Sequence, residues 1–327
     1  MNKVLVTVMG IITFAGMILS PETCINSALK GMNLCATAII PSLFPFFICV
    51  KIFTNSGLSA KLGKCMSKIM RPLFNLPGES AFVLLMGMLS GYPVGAKCAV
   101  SMYENNRCTK DEAERLICFC NNSGPMFVIG TVGTVMLLDK QAGIVLYLSN
   151  VLSALTIGIF LGLKRKPEIY RPQKNTVDEN KSILADAVSE SVNLIFYVCG
   201  FIIFFNIFVS LIELTNLLPK GVLYCLFEIT NGISYISATA IGNYKLPLIS
   251  FVLGWSGISI IVQVLGITDK YGFSKIKFIV SKLTQGCLSF VYTVMLLNVP
   301  SIPQFINILV IGIIITSILL SKLIKDL

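Results

Sequence analysis

Several short polar or glycine-rich clusters interrupt the apolar runs of this chain. They are Gly91-Tyr92-Pro93-Val94-Gly95, Asn121-Asn122-Ser123-Gly124-Pro125, Thr230-Asn231-Gly232 just after Glu228, Gly254-Trp255-Ser256-Gly257 and Thr284-Gln285-Gly286. None pairs a nucleophile with a base. The chain has no His, which excludes Ser-His and Cys-His systems and His-based zinc sites. Cys118 and Cys120 form a lone C-x-C, without the second pair that a zinc site needs. No G-x-x-x-x-G-K-[ST] loop is present, so ATP is not the energy source. The sequence therefore points away from an enzyme and calls for no cofactor or metal.

What these residue types can do is bind. A backbone group without a partner in hydrocarbon costs several kcal/mol, so a polar break in mid-membrane must be buried in protein or line a wet cavity. A helix that starts after such a break points free N–H groups and a positive dipole end into the cavity. Pro125 suits the first turn of such a helix, where its missing N–H is not needed. A carboxylate or phosphate fits that environment. The candidate solute-binding residues are Gly91, Tyr92, Pro93, Gly95, Lys97, Asn121, Asn122, Ser123, Gly124, Glu228, Asn231, Ser256 and Gln285.

Each has a plainer reading. The breaks are kinks in packed helices, or they are a cavity wall; their arrangement in corresponding pairs, with amide and hydroxyl side chains, favours the cavity. Lys97 holds an anionic solute, or it snorkels to an interface. Glu228 takes a coupling proton or cation, or it is an exposed acid at a loop edge. Glu79 marks a helix N-terminus. Trp255, the only Trp, lines the cavity or anchors at the membrane interface.

The elements that must position these residues are membrane-embedded. Of 327 residues 55% are hydrophobic and 13% charged, about half the charge of a soluble domain, and mean hydropathy is +0.82. Lipid must cover much of the surface. The net charge is +10, but Lys and Arg fall in short segments between apolar runs, the pattern of cytoplasmic loops near anionic lipid. No nucleic-acid motif accompanies them, so nucleic acid is not an expected partner. Most of the 11 Cys lie in apolar stretches, as small hydrophobes.

Read along the chain, residues 1–24 hold a retained N-terminal span, Val4 to Ser20, in preference to a signal peptide. Residues 25–163 form a first repeat, 164–181 a charged linker and 182–327 a second repeat. Asn33 to Val50, with Pro41 and Pro45, reads as a kinked or interrupted span. Lys51 to Arg71, with five cations and no acid, reads as a cytoplasmic loop or surface helix. Ala142 to Leu163, Val192 to Ile212 and Phe305 to Leu320 are clean spans. The expected fold is an all-α polytopic membrane protein with two structural repeats, inverted relative to each other and built on re-entrant or broken helices. Paired interrupted segments in corresponding halves point to a secondary-transporter site. If Ala81 to Ser101 is a re-entrant hairpin, the first repeat makes three crossings and the second starts from the opposite side. A strict inverted repeat would place Lys270 to Lys282 and the C-terminus outside, where the charge rule prefers them inside.

Four stretches carry a resemblance: Pro41-Ser42-Leu43-Phe44-Pro45-Phe46-Phe47, Ser90-Gly91-Tyr92-Pro93-Val94-Gly95-Ala96-Lys97, Asn122-Ser123-Gly124-Pro125-Met126-Phe127 and Phe227-Glu228-Ile229-Thr230-Asn231-Gly232. From about Ala28 to Leu297 the chain resembles the YlbJ/SpoVV-like sporulation integral membrane proteins, which carry nucleoside-recognition (Gate) domains. It is somewhat shorter than typical members. The resemblance implies an architecture like that of concentrative nucleoside transporters and a role in moving dipicolinic acid from mother cell to forespore. The implied location is the bacterial cytoplasmic membrane or the mother-cell-derived forespore membrane. The residues themselves reach only as far as a secondary transporter of a small polar, anionic solute, driven by a coupling ion, a partner or the solute gradient. A non-transporting scaffold in a sporulation complex and a nucleoside-type transporter stay open as alternatives. Protein partners and oligomeric state are left open.

Overall fold

The computed structural model describes residues 3–56, 58–163, 183–240 and 242–298. The linker expected at 164–181 and the last span, Phe305 to Leu320, lie outside the described residues. Regular structure among the described residues is helical throughout. Five helical runs are long and apolar enough to cross a membrane: Pro21–Thr54, Lys140–Leu163, Ile183–Leu214, Lys245–Tyr271 and Lys275–Leu297. Outward-facing apolar side chains such as Phe14, Val135, Leu138 and Phe196 are exposed, as lipid contact requires. The chain is a multi-pass membrane protein.

Helix α1 (Lys3–Leu19) is followed by α2 (Pro21–Leu34) and α3 (Ile40–Asn55). Of the kinked or interrupted span expected around Pro41 and Pro45, the interruption is absent: α2 runs into α3 as one helical run, Pro21–Thr54. Residues Cys35–Ile39 form a wider turn in which the Ile40 N–H bonds to the Cys35 carbonyl, an i→i−5 pattern just before Pro41. Widening the turn relieves the clash that a proline ring makes with the carbonyl four residues back. Helix α4 (Leu58–Phe74) is amphipathic: Lys61, Lys64, Lys68 and Arg71 are exposed, while Gly63, Met70 and Phe74 are buried. Arg115 ties its end down, donating to the carbonyls of Phe74 and Asn75 at 2.9 Å each.

Two helix pairs then fold back on themselves. Helices α5 (Ser80–Ser90) and α6 (Val94–Glu104) have 11 residues each, about 16 Å of rise, half of a ~30 Å hydrocarbon core. Gly87 and Gly95 lie four residues either side of Gly91. A Cβ on Gly87 would come within 3.0 Å of the Gly95 Cα and 1.9 Å of the Cys120 carbonyl oxygen. Contacts placed evenly about a tip define a helical hairpin over Ala81 to Ser101. Helices α7 (Lys110–Cys120) and α8 (Lys140–Leu163) follow, with α7 continued by a wide-turned helix over Met126–Met136. Helix α9 (Ile183–Leu214) precedes a second hairpin, α10 (Lys220–Phe227) and α11 (Ile229–Thr239). Here Gly221 faces Tyr235 and Gly232 faces Cys225, again placed evenly, now about Glu228. Helices α12 (Lys245–Trp255), α13 (Gly257–Thr268) and α14 (Lys275–Leu297) complete the described chain.

The two stretches α5–α8 and α10–α14 share an order: hairpin, broken span, unbroken span. Helices α8 and α14 pack on each other, α7 packs on α14 and α12 on α8. Helices α12 and α14 approach most closely, through small residues; Gly254 meets Gly286, and Ser250 and Ser289 share a 2.6 Å hydrogen bond. Small and hydroxyl residues are what membrane helices use to pack tightly.

Two expectations need correction, and one open conflict is resolved. The break expected at Thr230-Asn231-Gly232 lies two residues earlier, at Glu228, because its carboxylate caps α11 and lets residues 229 onward be helical. Residues Thr284-Gln285-Gly286 do not break: α14 is continuous there, and Gly286 serves the contact with Gly254. The segment after α13 shares a face with the α6–α7 loop. Lys270 and Tyr271 contact Glu104, and Lys277 pairs with Glu114 at 2.8 Å. The cations of 270–277 therefore lie with Glu104 to Arg115, where the charge rule wants them, and not on the opposite face.

Candidate functional site

The breaks converge. Gly91 lies against Asn122 and Gly124, and Gly257 against Phe227 and Ile229, so each hairpin tip abuts the broken span of its own half. Gly91 (φ +83°) holds the left-handed backbone that the hairpin reversal needs, and Gly257 (φ +79°) that of the break between α12 and α13. Between them is a cleft with a cavity volume of about 70 Å³. Gly91, Tyr92, Ser123 and Gly124 line it from the first half, and Glu228, Thr230, Ser259 and Gln263 from the second. Helices α3 and α9 add Ser42, Leu43, Val198 and Ile202.

Four helices begin at this cleft. Helix α13 and the helix after Pro125 have no side-chain cap, whereas α6 takes one from the neighbouring span, its Ala96 N–H donating to Asn121 Oδ1. Helix α11 is capped by Glu228, whose Oε2 accepts from the Asn231 N–H at 2.7 Å. The Ser259 hydroxyl is buried and has no hydrogen-bond partner among the described residues, and Ser259 lines the cleft. Uncapped N–H groups, their positive dipole ends and an unsatisfied hydroxyl together suit a polar solute with acceptor oxygens.

Behind the Tyr92 wall runs a buried polar network that joins both halves. Tyr92, whose peptide bond to Pro93 is cis, shares a short hydrogen bond with the Ser256 hydroxyl. The Tyr92 hydroxyl also accepts from Lys282 Nζ at 2.7 Å. Lys282 further donates to the Asn121 carbonyl at 2.9 Å and to Gln285 Oε1 at 2.6 Å. Gln285 Nε2 donates to Asn122 Oδ1 at 2.6 Å and Asn150 Oδ1 at 3.1 Å. Asn121 Oδ1 in turn accepts the Ala96 N–H at 2.7 Å, fixing α6 to the end of α7.

The expected residues thus fall into groups. Gly91, Tyr92, Ser123, Gly124 and Glu228 face the cleft. Asn121, Asn122, Ser256 and Gln285 form the network with Tyr92. Pro93 and Gly95 shape the tip; a Cβ on Gly95 would meet the Cys120 carbonyl at 2.5 Å. Asn231 stands behind Glu228 and donates to Asn206 at 3.1 Å. Lys97 is not among the cleft residues: its Nζ is 3.6 Å from Glu190 Oε2, with Lys51 sharing the same carboxylate at 2.8 Å. Trp255 is also outside the cleft lining and donates to the Leu226 carbonyl. Glu79 precedes α5 and pairs with Arg107 at 3.1 Å.

Sequence reasoning passed over Lys282, Asn150 and Ser259. Lys282 follows Lys275 and Lys277 closely and reads as one more loop cation. The usable signal was the spacing Lys282/Gln285/Ser289, one face of a helix at i, i+3, i+7.

Residues 36–163, which run from the wide turn before α3 to the end of α8, match the Gate family, described as nucleoside recognition. The chain is 31% identical to the sporulation integral membrane protein YlbJ of Bacillus subtilis (strain 168), over 90% of this chain and 83% of that protein. No solved structure matches.

Proposed function

The chain belongs to the YlbJ family of sporulation integral membrane proteins, and on that footing we propose that it is a secondary transporter of a small polar, anionic solute. The observation that carries this reading is the convergence of four helix starts, two of them uncapped, on one cleft that also holds the unpartnered Ser259 hydroxyl.

The crossing count supports alternating access. Each hairpin returns to the face it entered from. If the α6–α7 loop is on the inner face, α7 with its continuation crosses outward and α8 crosses back. Helix α9 crosses outward again, so the α10–α11 hairpin enters from the outer face. The α12–α13 span then returns to the inner face, which agrees with the Lys277–Glu114 and Lys270–Glu104 pairs. The two halves are thus inverted repeats whose hairpins reach one midplane cleft from opposite sides, the arrangement that lets a site open to either face.

Dipicolinate is the solute the family resemblance implies, and the forespore-facing membrane the corresponding place. A dianion fits the uncapped helix starts. The test is uptake of labelled dipicolinate into proteoliposomes. Saturable uptake by the wild type, lost in Asn122→Ala and kept in Lys97→Met, is the expected result. Absence of uptake by folded wild type for dipicolinate and for other small anions would overturn it and favour a membrane scaffold.

A further inference from the structure

Lys282 is fully buried on a continuous helix, and its three contacts are to neutral oxygens: Tyr92 hydroxyl, Asn121 carbonyl and Gln285 Oε1. Among the described residues no ion pair includes it. The elements packed on α14 are α12, α8 and α7. From α7 the Cys118 and Cys120 thiols face it; α8 and the end of α12 offer the uncharged Asn150 and Ser256. The first hairpin adds the Tyr92 hydroxyl. The charged side chain lining the cleft is Glu228, which is committed to capping α11. A buried ammonium without a counter-anion costs several kcal/mol. Either the proton leaves, or an anion comes.

The network can accommodate both states. With Lys282 charged, Nζ donates three hydrogen bonds, Tyr92 donates to Ser256, and Ser256 donates to the Leu253 or Gly254 carbonyl. With Lys282 neutral, Nζ donates to Asn121 and Gln285 and accepts from Tyr92, which accepts from Ser256. Only two hydroxyls need to turn, and hydroxyls can serve as donor or acceptor. Every polar atom of Lys282, Tyr92 and Ser256 keeps a partner in either state, and Asn150 Nδ2, at the far end of the network, is without one among the described residues in both. Tyr92 is common to the network and to the cleft wall, so charge in the cleft is felt at Nζ across one side chain.

We propose that Lys282 carries a proton with the solute, binding it when an anion occupies the cleft and releasing it when the anion leaves. This rests on the anionic-solute reading above. The proton passes from solvent to the Nζ lone pair, and no other bond changes. Anion and proton then favour each other's binding by the same factor, and the protein acts as a proton–anion symporter.

The test uses the full chain in detergent, weakly buffered at pH 8 with an indicator dye, and dipicolinate as the probe anion. Wild type and Lys97→Met are expected to take up about one proton per anion bound. In Lys282→Arg, permanently charged, anion binding persists and proton uptake vanishes. In Lys282→Met, binding weakens roughly tenfold. Should both Lys282 variants fail to fold, the wild-type titration decides. Binding without proton uptake overturns the role of Lys282 and leaves the transporter reading standing, as does proton uptake that survives in Lys282→Arg. No binding of dipicolinate by folded wild type overturns both.

Discussion

The two hairpins reach the same cleft and finish differently at their tips. The α5–α6 tip is three residues, Gly91-Tyr92-Pro93, with no acid, and α6 takes a neutral amide cap from Asn121 outside the hairpin. The α10–α11 tip is a single non-helical residue, Glu228, whose own carboxylate occupies the α11 N-terminus. One tip is capped by a neutral amide from the adjoining span; the other supplies its own carboxylate. A solute carboxylate is therefore expected to settle on the first-half side, over Tyr92 and Gly124, while Glu228 holds the second hairpin closed.

The sharpest way to break this comparison is at the glycines inside each hairpin. In Gly87→Ala the new Cβ would fall 1.9 Å from the Cys120 carbonyl oxygen, a backbone atom that cannot step aside. A loss of about 3 kcal/mol is expected, read as a large drop in thermal unfolding temperature in detergent. Gly221→Ala meets only the Tyr235 ring at 2.6 Å, which can swing, so its cost should be clearly smaller. Equal effects would mean the first hairpin is not the tighter one.

Next is the network that only the first tip joins. Gln285→Leu strips partners from Lys282, Asn122 and Asn150 together. It should cost about 1–3 kcal/mol and abolish uptake, whereas a change at Asn231, behind the second tip, should leave uptake measurable.

Glu228→Gln removes the internal anion and keeps an oxygen for the Asn231 N–H. Stability should change by no more than about 1 kcal/mol, and the KM for an anionic solute should fall, because a negative charge has left the cleft wall. A raised KM would show that Glu228 attracts the solute instead. The smallest effect is Ser259→Ala. Its hydroxyl has no partner to lose, so stability should hold, while solute affinity weakens by about 1 kcal/mol if the hydroxyl meets the solute.

Much of this was legible because polar backbone in mid-membrane has few explanations. Gly91-Tyr92-Pro93 and Asn121 to Pro125 could not continue a helix in lipid, and both are tips or breaks. Gly286 was not legible, since a glycine that lets two helices touch looks the same in sequence as one that ends a helix. Glu228 was misplaced by two residues because the run Thr230-Asn231-Gly232 has the composition of a turn, yet a cap just upstream starts the helix before it. Lys97 and Lys282 stand in each other's expected surroundings. Lys97 stands beside a motif, but Glu190, from a helix far along the chain, takes it away. Lys282 stands beside loop cations, but helix phase turns it inward. Such exchanges depend on which distant helix packs where, and local pattern carries no trace of that.

The central claim, a cleft open to each face in turn, is tested most directly by counterflow. Proteoliposomes loaded with excess unlabelled dipicolinate are diluted into trace labelled dipicolinate. A carrier accumulates label transiently above its equilibrium level, and wild type should do so while Gln285→Leu does not. Label that only equilibrates, without the overshoot, would contradict the account.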